Sequence, residues 1–223
     1  MESLGVNSLI IVESKNDKFF IEALIKYLNL KVGVEVQSIC EFECLDGITN
    51  LENKLKDIKI DNYEIIGIIL DANGEGIDER IKFINYSLKS ICSDVQLNKI
   101  NKFKESKAIG VKFICYIMNL AGKGELETIL RRIKKKDSTY ADCLGSWRDC
   151  VNKSLNNNKE NVKDKDFDKF WVNNYIRFDT CSKKEKRQAE KNCTLEKSFE
   201  KDVWDFDNKI LDDLKNFLKL IIK

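Results

Sequence analysis

Apolar runs and helical rhythms alternate along the first 135 residues of the chain. Residues 7–13, NSLIIVE, run apolar and end in a carboxylate; their length and Ile/Val content predict a buried strand. Phe19, Phe20, Ala23, Leu24, Tyr27 and Leu28 then recur at helical spacing, which predicts an amphipathic helix over 15–29. Ser14, with Asp17 three positions on, has the spacing of a capping box at its start. Residues 33–44 alternate as a strand does, Asp46-Gly47 breaks them, and a helical pattern restarts from Asn50 to Leu55. Residues 64–70, EIIGIIL, form a second near-continuous apolar run, again closed by an acid, Asp71. After the loop ANGEG, Ile77, Ile81, Ile84 and Leu88 mark a helix to about residue 91. Residues 109–118 predict a further strand, AGKGE punctuates it, and Leu126, Ile129, Leu130 and Ile133 open another helix.

Strand alternating with helix argues for an α/β core, a mainly parallel sheet with right-handed crossovers and helices on its faces. The core is expected over residues 1–135. Residues 136–223 read as a charged, mostly helical extension packed on it. Within that extension 152–166 are polar and Asn/Lys-rich, as in an exposed loop, and 207–222 form an amphipathic terminal helix. Phe167, Phe170, Trp171 and Tyr175 have the i, i+3, i+4, i+8 spacing of helix packing.

Composition narrows the chemistry. The 223 residues contain no His, which excludes Ser-His-Asp triads, Cys-His pairs and HExxH zinc sites. Proton transfer is left to carboxylates, Lys, Tyr, Cys, water or a metal. The absence of Pro, beside many Lys, Asn and Ile, reads as compositional drift and lowers the weight of Lys abundance as a signal. With 39 basic and 37 acidic residues no global field draws the chain to nucleic acid. The surplus is uneven: 16 basic against 19 acidic residues over 1–125, and 23 against 18 over 126–223.

The eight Cys include no CxxC pair, the N-terminal segment lacks a signal-peptide pattern, and no apolar stretch approaches the ~18 residues of a membrane span. The expectation is a cytoplasmic protein with reduced thiols, no disulfide, no zinc and no membrane association. Cys40 and Cys44 have near-ligand spacing, but along a strand they stand too far apart for one zinc.

The candidate chemistry lies at strand ends, where open α/β sheets bind ligands. Glu13 and Asp71 close two buried strands, and adjacent parallel strands would bring them to one edge. Hard cations such as Mg²⁺ or Mn²⁺ take oxygen ligands of this kind, with water and substrate phosphate. Asn73 is a further oxygen donor, Asp17 lies one helical turn after Glu13, and Glu75 and Asp46 are weaker candidates. Strand-end acids also commonly cap the next helix or face water, and Asp17 suits a first helical turn on dipole grounds alone.

IIVESKNDKFFIEAL resembles the opening strand and helix of Toprim domains, an apolar strand followed by Val-Glu-Gly. GIILDAN resembles their second hallmark, an apolar strand ending in Asp-x-Asp. The Glu13-x3-Asp17 spacing is most similar to OLD-family nucleases and small stand-alone Toprim-like proteins. MNLAGKGELETIL and VWDFDNKILDDLKNFLKLI are similar to later segments of an uncharacterised stand-alone Toprim-like family. The resemblance implies a Toprim-like, Rossmann-like fold. It also implies Mg²⁺- or Mn²⁺-dependent, nuclease-like phosphoryl transfer on nucleic acid. Glu13 is then the acid/base or a metal ligand, Asp71 the main ligand, Asn73 and Asp17 auxiliary. Glu127 is either a further ligand or an acid in a first helical turn. The chain departs from the pattern at Ser14, where Gly is usual, and at Asn73, where a second Asp is usual. A neutral amide brings no charge to a cation. The alternative is therefore a weak or inactive Toprim-like module that binds nucleic acid or a protein partner.

Two basic segments bear on that choice. RRIKKK supplies Arg131, Arg132, Lys134, Lys135 and Lys136 as candidate phosphate contacts, and KKEKRQAEK at 183–191 supplies a second stretch. In a Lys-rich chain such runs are more often solvated helix faces.

Overall fold

The computed structural model describes residues 7–30, 33–40, 47–155 and 160–222. Its centre is a five-stranded sheet in the order β2-β1-β3-β5-β4. The strands are β1 (Ser8–Val12), β2 (Val34–Ser38), β3 (Ile65–Asp71), β4 (Lys104–Glu105) and β5 (Lys112–Met118). β1 pairs in parallel with β2 and β3, and β3 with β5; only the two-residue edge strand β4 is antiparallel. The fold is thus α/β with a mostly parallel, mixed sheet flanked by helices.

The apolar runs form strands because both faces of the sheet are covered, which removes the need for a polar alternate position. On one face, Ile10, Val12, Ile65, Ile69, Ile114 and Tyr116 meet helices α1 (Lys15–Tyr27), α4 (Leu126–Arg132), α7 (Asp164–Asn174) and α11 (Asp212–Ile221). On the other, Leu9, Ile11, Ile66, Ile68, Leu70 and Cys115 meet α2 (Gly47–Asp57) and α3 (Ile77–Leu88). Residues from beyond position 135 therefore build the first core rather than decorate it: Trp171, Tyr175 and Phe217 are fully buried.

Gly67 has a specific reason. A Cβ there would lie 2.4 Å from Ile221 Cδ1 and 3.0 Å from Phe217 Cζ, so the missing side chain lets α11 seat on β3. Helix α1 starts as its sequence predicts: the backbone N–H of Ser14 donates to Asp17 at 2.8 Å, and that of Asp17 donates to the Ser14 hydroxyl at 3.3 Å.

Helices also make up much of the charged remainder. Helices α5 (Thr139–Asp142) and α6 (Leu144–Ser154) precede α7, which starts at Asp164, inside the stretch expected to be irregular. A π-helical turn over Tyr175–Thr180 continues α7. The short helices α8 (Lys183–Lys186), α9 (Ala189–Asn192) and α10 (Leu195–Ser198) follow it.

The expectation of wholly reduced cysteines is corrected. Cys181 and Cys193 form a disulfide, because the turn through α8 and α9 returns their Cα atoms to 6.1 Å. Cys40 is also disulfide-bonded. Cys92 and Cys115 are free and buried, Cys143 and Cys150 free and exposed. Among the described residues no helix is long and apolar enough to cross a membrane.

Candidate functional site

The strand order reverses direction at β1 and β3. From β1 the chain crosses to β2 on one side, and from β3 to β5 on the other. At such a switch point the two connections leave in opposite directions and open a crevice beyond the carboxyl ends of the strands. Glu13 and Asp71 stand there. Glu13 Oε2 accepts the backbone N–H of Asp71 at 3.2 Å, which bridges the two strand ends.

Alternation along the strands sends the two side chains to different sides. Asp71 shares the parity of Ile65 and Ile69, on the α1 face. Glu13 follows Leu9 and Ile11, on the α3 face, and meets Arg80 of α3: Nη2 to Oε2 is 2.7 Å. Arg80 is itself buried, reaches Glu75 at 3.7 Å through Nη1, and packs its guanidinium over the Phe83 ring.

Asp71 is in the opposite situation. The residue is half-buried, yet its Oδ1 is sealed from solvent and has no hydrogen-bond partner. Burial drives its carboxyl well above the usual carboxylate range, and the nearby charges of Asp17, Glu13, Glu127 and Glu125 push the same way. Asp17, buried on α1, is raised to about 7; desolvation does this, opposed by the Ser14 hydrogen bonds and reinforced by Glu13 and Glu127. Burial raises Glu127 as well.

A turn after β5 forms the far wall. Backbone bonds between Asn73 and Gly124, at 2.9 and 3.0 Å, tie it to the loop after β3. Asn73 sits in the left-handed region at φ 49°, which Asn tolerates better than most residues. Glu125 precedes α4, nearly buried, with the ammonium of Lys165 at 3.1 Å and that of Lys169 at 3.7 Å. Lys165 also donates to Asn73 Oδ1 at 3.4 Å. Burial alone would depress the Lys165 ammonium, but its bond to Glu125 and the charges of Asp71 and Glu13 outweigh it and leave it raised.

Glu13, Asp17, Asp71 and Glu127 are thus brought into one electrostatic cluster, with Asn73 at its rim. Glu75 is turned to Arg80, and Asp46 lies outside the described residues. The 131–136 stretch is largely spoken for: Arg131 pairs with Asp168, Lys134 with Asp142 at 2.8 Å and Lys135 with Asp202 at 2.5 Å. Arg132 and Lys136 are exposed. Among the described residues no three Cys, Asp or Glu converge as a complete metal-binding set.

Sequence reasoning missed Arg80, Glu125, Lys165 and Lys169. Arg80 had a signal, because it falls on the apolar stripe of Ile77, Ile84 and Leu88, where a charge needs a buried partner. Lys165 had none, being 92 residues from Asn73 in sequence.

Neither a curated protein nor a solved structure matches the chain. Residues 7–223 match the profile of a family described as a protein of unknown function (DUF3226), and the chain belongs to that family.

Proposed function

We propose that the protein carries out divalent-cation-dependent phosphoryl transfer on nucleic acid at the β1/β3 edge, with Asp71 as the anchoring anion. The observation that carries this reading is Asp71 Oδ1, buried, unpartnered and surrounded by other acids. A buried carboxylate oxygen without a partner is costly unless a proton or a cation meets it. Mg²⁺ and Mn²⁺ fit such a place. They are often held by one or two carboxylates, with water and substrate phosphate completing the shell, so a full set of protein ligands is not required. The likeness of the segments around Glu13 and Asp71 to Toprim sequences supports the same reading.

A cation bound there would neutralise a phosphodiester oxygen and polarise the attacking or leaving oxygen. The chain's own groups then divide the remaining work. Asp17, with a pKa of about 7, holds or releases a proton close to neutral pH beside Asp71. Glu13, oriented by Arg80 and the Asp71 amide, is the acid/base group. Lys165, facing the acids from the far wall, offers positive charge to a bound phosphate.

One observation favours a second reading. The Glu13 Oε2 atom already accepts from the Arg80 guanidinium at 2.7 Å and from the Asp71 N–H at 3.2 Å, which suits a fixed structural role in a non-catalytic module that binds nucleic acid or a protein. Labelled oligonucleotides incubated with the protein and Mn²⁺ separate the two. Cleavage that disappears in Asp71→Ala and Glu13→Gln supports the first; intact strands at every metal concentration sink it and leave the second.

A further inference from the structure

We infer that the surface formed by the π-helical turn after α7 and the disulfide-closed loop 181–193 binds single-stranded nucleic acid. Arg177, Lys186, Arg187 and Lys191 line a pocket of about 380 Å³ there, with Glu190 as its one acidic lining residue. Among the described residues none of the four cations is in an ion pair, whereas Arg131, Lys134 and Lys135 are all paired. The neighbouring Glu185 is engaged by Lys201 at 2.6 Å, and Asp179 accepts the backbone N–H groups of Tyr140 and Ala141 at 3.0 Å each. The second basic segment is therefore the one whose charge is left for an outside anion.

Charge alone would suit any polyanion; the aromatics narrow the class. Phe178, next to Arg177, is 43% exposed, and Tyr140 is 63% exposed. Their ring centroids lie 6.1 Å apart, and Lys186 stands over the Phe178 ring at 5.6 Å. Large exposed rings flanked by unpaired cations match a strand whose phosphates meet the cations while its bases stack on the rings. A duplex offers no free base faces, and a phosphopeptide offers no repeated bases. The disulfide holds the lysine-bearing loop, residues 182–192, against the turn that carries Arg177 and Phe178. This surface does not depend on chemistry at the Asp71 edge.

The test is fluorescence anisotropy with a labelled single-stranded 12-mer and the full-length chain. If four phosphates are neutralised, the logarithm of affinity falls against the logarithm of salt with a slope near −3, about −0.7 per contact. Arg177→Glu with Arg187→Glu should weaken binding at least about tenfold at low salt, since it reverses two of those contacts. Phe178→Ala should weaken it about fivefold or more, the loss expected of one stacked base. Lys82→Ala, an exposed cation on α3 at the opposite face of the sheet, should leave it unchanged. Circular dichroism confirms that each variant is folded. Four results overturn the inference: no binding by wild type at 50 mM salt; equal binding by the charge-reversed variant; a duplex or a phosphopeptide bound as tightly as the strand; or a loss in Lys82→Ala as large as that in Arg177→Glu/Arg187→Glu.

Discussion

The carboxylate of Glu13 accepts the backbone N–H of Asp71 at 3.2 Å, so the residue that closes one central strand satisfies the end of its neighbour. This bond fixes the two strand ends in register just where the sheet gives way to the crevice. It also explains why Glu13 and Asp71 behave differently. Glu13 is held by the Arg80 guanidinium and a peptide N–H. Asp71 Oδ1 has neither, and is left among like charges.

Removing the guanidinium should therefore be costly. Arg80→Met should lower stability by about 2–3 kcal/mol at pH 7, somewhat below the value for a fully buried pair because Glu13 keeps some solvent. Glu13→Gln combined with Arg80→Met should recover much of that loss. Urea unfolding of the two single variants and the double variant checks this; additive losses would show that the pair is not coupled.

Asp17 sets a pH dependence in the metal-free protein. A carboxyl raised by the fold contributes favourably below its unfolded value of 3.8, and that contribution is lost as pH climbs to about 7. The loss is at most about 4 kcal/mol. Asn in its place can still accept the Ser14 N–H but never ionises. Asp17→Asn should thus match or fall below wild type at pH 4.5 and exceed it at pH 8. Melting temperatures that keep the same order at both pH values would refute the assignment.

The seat of α11 on β3 predicts a rescue. Gly67→Ala should cost about 1–3 kcal/mol through overpacking against Ile221 and Phe217. Ile221→Val removes the Cδ1 atom that the new Cβ meets, so the double variant should be more stable than Gly67→Ala alone. If Ile221→Val worsens it instead, the contact is not what excludes a side chain at 67.

The disulfide should act on both stability and the basic surface. In the chain-entropy account a loop of this size is worth about 3 kcal/mol, Cys181 and Cys193 standing 12 positions apart in sequence. Cys181→Ser should lower the melting temperature and weaken oligonucleotide binding, while leaving any Mn²⁺ effect at Asp71 intact. Unchanged strand affinity would show that the loop needs no closure.

The strands were legible because a sheet covered on both faces writes itself as uninterrupted Ile and Val, as in SLIIV and IIGIILD. Ser14 and Asp17 announced the start of α1 by spacing alone. The edge strand Lys104–Glu105 was not legible, since two exposed charged residues carry no apolar signature. At the site, the acids could be read because each ends a strand or opens a helix. The cations could not: Lys165 and Lys169 reach Glu125 from a helix remote in sequence, and the pairing of Cys181 with Cys193 depends on a tertiary turn. Local pattern reports burial, whereas the partner of a charge is decided by how distant helices dock.

Calorimetric titration with Mn²⁺ at pH 7.5 decides whether the Asp71 edge is a cation site. Wild type should bind, Asp71→Ala should not, and Asn73→Asp should bind more tightly, because it adds a negative charge beside the Lys165 contact. No heat of binding in wild type or in Asn73→Asp, or equal affinity in wild type and Asp71→Ala, would contradict it.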